Sequence, residues 1–270
     1  MAKIETAFLN LGALDALAAR RTPLHRLDPR AKLVATGVFI LAVVSCGKYE
    51  ISALLPFFVF PLTLLIVGDL PPVFLLKKLL LVAPFAVLVG IFNPLFDRQV
   101  MLQLGSLEIS GGWVSFASIL LRFLLTVGAA LILIASTGFT AVCMALERLG
   151  APRVFTLQLL FLHRYLFVLV DEGARLVRAR GLRSFGGRGA GMKAVGGMLG
   201  QLLLRTLDRA QRIHRAMLCR GFDGEIRMLR PLRIGRAEVV FTLGWSALFV
   251  ALRLYNLPRL LGNLLLEIAR

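Results

Sequence analysis

The chain has 270 residues, 58 % of them hydrophobic, with a net charge of +17 and a mean hydropathy of +0.80. A soluble domain is only about half apolar, and several uncharged runs here approach the roughly 20 residues that cross a bilayer, so the chain reads as an integral membrane protein. In a soluble chain the charge would point to nucleic acid; in a membrane chain it marks loops held on the cytoplasmic side, and nucleic acid is not expected as a partner.

The first 30 residues are polar and mixed in charge, without the apolar core of a cleavable signal peptide. Four apolar runs follow, at about 31–47, 51–68, 77–96 and 120–140. Arg122 sits at the edge of the fourth run and is expected to snorkel to the interface. Asn93-Pro94 reads as a turn that ends the third. Before the first run lie Arg20, Arg21, Arg26, Arg30 and Lys32, and between the second and third lie Lys77 and Lys78. The alternate loops hold only Lys48 and Arg98, so the positive-inside bias puts the amino terminus in the cytoplasm.

Four crossings return the chain to the cytoplasm near residue 141. Residues 171–236 then carry 15 basic side chains against five acidic ones, a net of +10, and belong on that side too. A single crossing by the apolar stretch Phe155 to Val170 would put this segment outside, and His163 and Arg164 interrupt the stretch. Residues 154–180 are therefore expected to form one long helix that does not cross. The run at about 239–257 becomes the last span. The expected fold is an all-α integral membrane protein of about five transmembrane helices, six by hydropathy alone, plus long cytoplasmic helices. Its parts are a cytoplasmic segment (1–30), a four-span region (31–140), a cytoplasmic or interfacial helical segment (141–236), and a final helix with its tail (237–270).

Within that segment, Phe155, Leu159, Leu162, Leu166, Leu169, Gly173 and Leu176 follow alternating steps of four and three, a seam for helix packing, and the next step lands on Arg180. Leu199, Leu203, Thr206, Ala210, Ile213 and Met217 repeat the pattern, and the next step lands on Arg220. Gly181 and Gly221 follow, each suited to the left-handed position that closes a helix. Ordinary capping, worth about 0.3–1 kcal/mol for a cation at a helix C-terminus, accounts for one such end. Two ends, both on a seam, point to docking, for which the planar guanidinium fork suits carboxylate or carbonyl partners. The other arginines (Arg175, Arg183, Arg188, Arg205, Arg209, Arg212, Arg215) are expected on solvated faces or at lipid headgroups.

Cys46, Cys143 and Cys219 are far apart and odd in number, which suggests neither a disulfide framework nor a zinc site. His25, His163 and His214 are equally scattered. No Gly-x-x-x-x-Gly-Lys-Ser/Thr loop appears, so the chain does not bind ATP in that way and is not its own motor. The Asp171–Gly181 stretch superficially resembles the signature of membrane-embedded CDP-alcohol phosphotransferases, but lacks the further carboxylates that hold metal ions around a pyrophosphate. A lone secondary transporter would show polar groups at mid-span, perhaps in duplicated halves, and neither is seen.

Three motifs carry a resemblance. "HRLDPRAKL" (His25–Leu33), with Asp28, Pro29 and Lys32, resembles the opening signature of the transmembrane T component of energy-coupling factor transporters, in its cobalt-type CbiQ branch. "RARGLRSFG" (Arg178–Gly186) and "AMLCRGFDGE" (Ala216–Glu225) resemble that family's two Ala-Arg-Gly motifs. The resemblance implies that Ala179, Arg180 and Gly181 form the first motif and Arg220 and Gly221 belong to the second. Cys219 stands where the family has alanine, and a thiol is small enough to pack there.

It further implies a non-catalytic subunit of the bacterial plasma membrane with two kinds of partner. Two cytoplasmic ABC-type ATPase subunits would receive the motif-bearing helices and bind the ATP. A substrate-capturing membrane subunit would receive the motion. No cofactor is implied on this chain itself. Cobalt(II) is the solute of the branch it resembles, with nickel or a vitamin as alternatives.

Overall fold

The computed structural model describes residues 15, 17–20, 22–47, 49–96, 100–104, 107–183, 192–224 and 235–254. They fall into two compact units, one holding the described residues up to Ala145 with those of 235–254, the other holding 146–224.

In the first unit, a short helix α1 (Pro23–Arg26) precedes α2 (Pro29–Ser45). The start of α2 is over-determined: Asp28 is its N-cap, accepting a 2.9 Å bond from the Arg30 amide, and Pro29 supplies a pre-set φ where no donor is needed. The second apolar run is not one helix. It is α3 (Ile51–Leu54), a 3₁₀ turn (Leu55–Phe58) and α4 (Val59–Val67). Pro56 lies in the 3₁₀ turn and Pro61 in α4, and each removes a backbone donor.

The third run begins earlier than expected, as α5 (Pro72–Gly90). Lys77 and Lys78 do not mark its start but lie within it, Lys78 over the Phe74 ring at 5.5 Å. Asn93-Pro94 is not a simple stop either. The chain re-enters a helix, α6 (Phe92–Phe96), and the Asn93 amide donates to Ser115 Oγ at 3.3 Å. A short antiparallel hairpin not expected from the sequence follows, β1 (Val100–Leu104) with β2 (Leu107–Ser110), connecting helices of an otherwise all-α unit. Next come α7 (Gly111–Thr137), which starts well before residue 120, and α8 (Phe139–Arg148). The unit ends with α11 (Arg236–Leu254).

The centre of this unit is aromatic. Phe39 of α2, Phe57 of the 3₁₀ turn, Phe60 of α4 and Phe249 of α11 are each at most 1 % exposed. Phe60 meets Phe249 at 5.0 Å and Trp245 at 4.9 Å, and Phe39 meets Phe249 at 5.2 Å. Such pairs contribute about 0.5–1.5 kcal/mol each beyond area burial, which matters in a bilayer, where helix association has little hydrophobic drive. Small residues bring backbones together elsewhere: a methyl on Gly90 of α5 would lie 2.8 Å from the Phe116 ring of α7.

Both ends of α2 are tied. At its start, Lys32 Nζ donates to the Ser136 carbonyl in the last turn of α7 at 3.0 Å. At its end, Arg122 of α7 donates to the carbonyls of Cys46 (2.9 Å) and Gly47 (2.6 Å), and Arg253 of α11 donates to the Ser45 carbonyl (2.9 Å). Arg122 is thus a donor to the C-terminal carbonyls of another helix. Those carbonyls lack intrahelical partners, and cations are favoured there.

These ties fix a topology. α7 runs antiparallel to α2, while α11, whose last turn meets the last turn of α2, runs parallel to it. The end of α7 and the start of α11 are therefore on one side of the unit. Arg20, before α1, donates to Asp69 after α4, which puts that turn on the same side.

The second unit contains α9 (Arg153–Arg183) and α10 (Met192–Cys219). α9 is one helix, as expected, and is long and apolar enough to cross a membrane, as are α5, α7 and α11. α10 carries Arg205, Arg209, Arg212 and Arg215, each of which would cost about 2.5–3.5 kcal/mol at a bilayer centre.

Candidate functional site

The two seams predicted on α9 and α10 converge on one groove. Leu162, Leu166 and Leu169 line it from α9, and Thr206, Ala210, Ile213 and Met217 from α10, around a volume of about 800 Å³. The 4-3 spacing keeps these residues on a single stripe of each helix. Leu162 remains 62 % exposed, so the stripe is an open surface in this chain rather than a closed core. Phe155 (56 %), Leu199 (60 %) and Leu203 (60 %) extend it and are likewise open.

Among the described residues, an ionic contact joins the helices. Glu172 of α9 accepts from Arg205 of α10 at 2.7 Å and from Arg175 on its own helix at 2.8 Å. Arg175 and Arg205 are each more than half exposed, on solvated faces as the sequence suggests, and both also pair with Glu172. The Glu172–Arg175 half is an i, i+3 pair that spacing alone reveals; the Arg205 half spans 33 residues and has no local signal.

Each motif has a different ending. On α10, Gly221 has φ +75°, its amide donates to the Leu218 carbonyl and the Phe222 amide to the Met217 carbonyl, both at 3.0 Å. That is a Schellman closure with glycine at C′. It turns Phe222 back so that it lines the groove beside Met217. On α9 the expectation fails: Gly181 lies inside the helix, which continues to Arg183. The residues Leu182 and Arg183 still follow helical geometry, so no left-handed residue is needed there. Arg180 is half-buried, Ala179 exposed, and Cys219 and Arg220 exposed. The rest of the first motif, Ser184 to Gly186, and the end of the second, Glu225, lie outside the described residues.

The groove uses α9 before Glu172 and α10 after Arg205. Arg180 lies eight residues beyond Glu172, away from the groove, whereas Arg220 lies at the groove's Phe222 end. At 1.5 Å per residue the two arginines are on the order of 25 Å apart or more. They are two separate tips, not one cluster.

The opening signature lies in the other unit and has a structural explanation. Asp28 caps α2, Pro29 begins it, and Lys32, only 4 % exposed, reaches Ser136. Ser136 and Gly138, which complete this arrangement, carry no distinguishing mark in the sequence. Among the described residues no group of three or more His, Cys, Asp or Glu side chains is placed to hold a metal ion.

A family model for CbiQ, described as a cobalt transport protein, matches residues 20–230. The energy-coupling factor transporter transmembrane protein EcfT of Listeria innocua is 27 % identical over 216 residues, covering 74 % of this chain and 81 % of that protein. The EcfT of Leuconostoc gelidum is 25 % identical over 252 residues, covering 85 % and 92 %. The cobalt transport protein CbiQ of Salmonella typhimurium is 26 % identical over 157 residues, covering 54 % and 70 %.

Proposed function

The chain belongs to the CbiQ family of cobalt transport proteins, and from that premise we propose that it is the T component of an energy-coupling factor transporter, docking two ABC-type ATPase subunits through Arg180 and Arg220. The observation that carries this reading is the pair of separated cationic helix tips, joined by one helix pair with an apolar groove between. A guanidinium at each tip suits carboxylates or carbonyls in a partner's cleft. A separation of about 25 Å suits two partner subunits better than one.

On this reading the chain is a non-catalytic subunit. ATP is bound and hydrolysed by the ATPase partners, and the motion passes through α9 and α10 to a substrate-binding membrane subunit. The side of the first unit that holds the Asp69 turn is assigned to the cytoplasm, and so are residues 171–236 on the strength of their net +10. The membrane is the bacterial plasma membrane.

The proposed solute is cobalt(II), after the matched family and the Salmonella relative. A second reading has a specific basis: the EcfT relatives cover more of this chain, 85 % for the Leuconostoc protein against 54 % for the Salmonella CbiQ. On that reading the same machine serves nickel or a vitamin. The deciding experiment is purification of the tagged chain from gently solubilised native membranes, with identification of what accompanies it. ABC-type ATPases and a small membrane partner are expected, and that partner names the solute. A chain that comes out alone, from membranes expressing those subunits, overturns the proposal.

A further inference from the structure

We propose that the groove between α9 and α10 binds one anionic phospholipid, with the phosphate held by Arg209 and Arg212 and an acyl chain lying along the apolar stripe. The site goes beyond the coupling function proposed above and holds whether or not ATPase subunits dock at the arginine tips.

The two walls of the groove differ in chemistry. α9 contributes Leu162, Leu166 and Leu169, and among the described residues its one charged lining side chain is Glu172. That helix is apolar enough to cross a membrane, so hydrocarbon is a compatible neighbour for its wall. On α10, Arg205, Arg209 and Arg212 also line the groove, with Asp208 the one acid on that wall. These arginines recur at steps of four and three, each one residue before Thr206, Ala210 and Ile213 of the apolar stripe. A cationic stripe therefore runs beside the apolar one along the same helix.

Part of that charge is already matched. Glu172 accepts from Arg205 at 2.7 Å. Arg209 and Arg212 make no hydrogen bond or ion pair among the described residues, and Asp208, four residues before Arg212, pairs with neither. Arg209 is half-buried and Arg212 exposed. Helix neighbours three residues apart have Cβ atoms about 5–6 Å apart, so both guanidinium forks can reach one phosphate, a group that arginine binds well. Unmatched cations beside an apolar stripe suit a ligand that is anionic at one end and hydrocarbon at the other. A phospholipid is both, and it is the amphiphile that surrounds a membrane protein. The volume of about 800 Å³ falls among those of small-ligand sites, about 300–1,000 Å³. Phe222, turned back by the Gly221 closure, gives the groove an aromatic end beside Met217.

The test is native mass spectrometry of the full chain in a mild detergent, with added phosphatidylglycerol or phosphatidylcholine of the same acyl chains. The parent is expected to hold one phosphatidylglycerol about tenfold more tightly than phosphatidylcholine, whose choline neutralises the phosphate. Arg209→Gln with Arg212→Gln is expected to abolish that preference. Ala210→Trp, which fills the groove and leaves the charge alone, is expected to weaken the binding of both lipids. Arg215→Gln, on the same helix but outside the groove lining, is expected to bind like the parent. All four positions are half-buried or exposed, so none of these changes disturbs a packed core. An unaltered preference in the double arginine variant overturns the proposal, as does unaltered binding in Ala210→Trp. An equal loss from Arg215→Gln also overturns it, since the attraction would then be a general one of the +17 chain. Displacement by inorganic phosphate at the lipid's own concentration would show that the acyl chain contributes nothing, and would overturn it too. A parent that retains no lipid would mean that the groove is left for a helix of a partner protein, and the proposal falls.

Discussion

Glu172 on α9 and Arg205 on α10 form a 2.7 Å hydrogen-bonded ion pair, the described polar link between the two helices that carry the arginine-glycine motifs. Arg175 holds the second carboxylate oxygen at 2.8 Å, so the acid is oriented before Arg205 reaches it. Replacing Glu172 by Gln, or Arg205 by Ala, should free α10 locally. The pair is solvent-screened, so the melting temperature should hardly move, while amide exchange along 199–213 should accelerate. Exchange at the unaltered rate would mean that the apolar stripe alone holds the pair.

The two motif glycines should respond in opposite ways. Gly221 has φ +75°, so alanine there should cost about 1–2 kcal/mol of local stability, fray the end of α10 and release Phe222 from the groove. Gly181 is helical with nothing within 4 Å of an added methyl, so alanine should stabilise α9 by about 0.5–1 kcal/mol. Circular dichroism and amide exchange on the two variants would distinguish them. Equal damage from both would contradict the continuous α9.

Arg122 and Arg253 grip the same helix end from different helices. Arg122→Met leaves the Cys46 and Gly47 carbonyls without that donor, and Arg253→Met does the same for Ser45. Each should cost about 1–3 kcal/mol. Because both act on one segment, their sum should differ from the double variant by about 0.5 kcal/mol or more. Thermal unfolding in detergent measures all three, and strict additivity would argue that the two grips are independent.

The proposed cytoplasmic placement of residues 171–236 predicts labelling patterns. Cys219 is exposed whereas Cys46 and Cys143 are buried, so an impermeant maleimide should reach the native chain at Cys219. It should do so from the side that labels Asp69→Cys and opposite to the side that labels Tyr49→Cys. Gly187→Cys, between α9 and α10, should label from the Cys219 side as well. Labelling of position 187 from the other side would mean that both helices cross.

What was legible in the sequence follows from the range of each interaction. Apolar runs revealed the helices because burial in lipid acts residue by residue. The two seams were legible because a 4-3 spacing has one structural meaning, and they do meet at one groove. The role of Arg122 was not, because its partners are backbone carbonyls 75 and 76 residues away. Lys32 was visible as part of a signature, yet its partner lies 104 residues on. The starts of α5 and α7 were misplaced for a related reason: Lys78 and Arg122 looked like boundaries, but one rests on an aromatic ring and the other on a helix end. Arg-Gly reads alike at 180–181 and 220–221, and only the described backbone separates a helical glycine from a capping one.

Docking through the two tips is tested most directly by Arg180→Glu combined with Arg220→Glu, expressed with the native partner subunits. Neither position belongs to the hydrophobic core cluster of the first unit, so the variant should insert and reach normal levels. The proposed mechanism predicts that ABC-type ATPases no longer co-purify and that ATP-driven uptake falls at least tenfold. Association and uptake both at the unaltered level would contradict it.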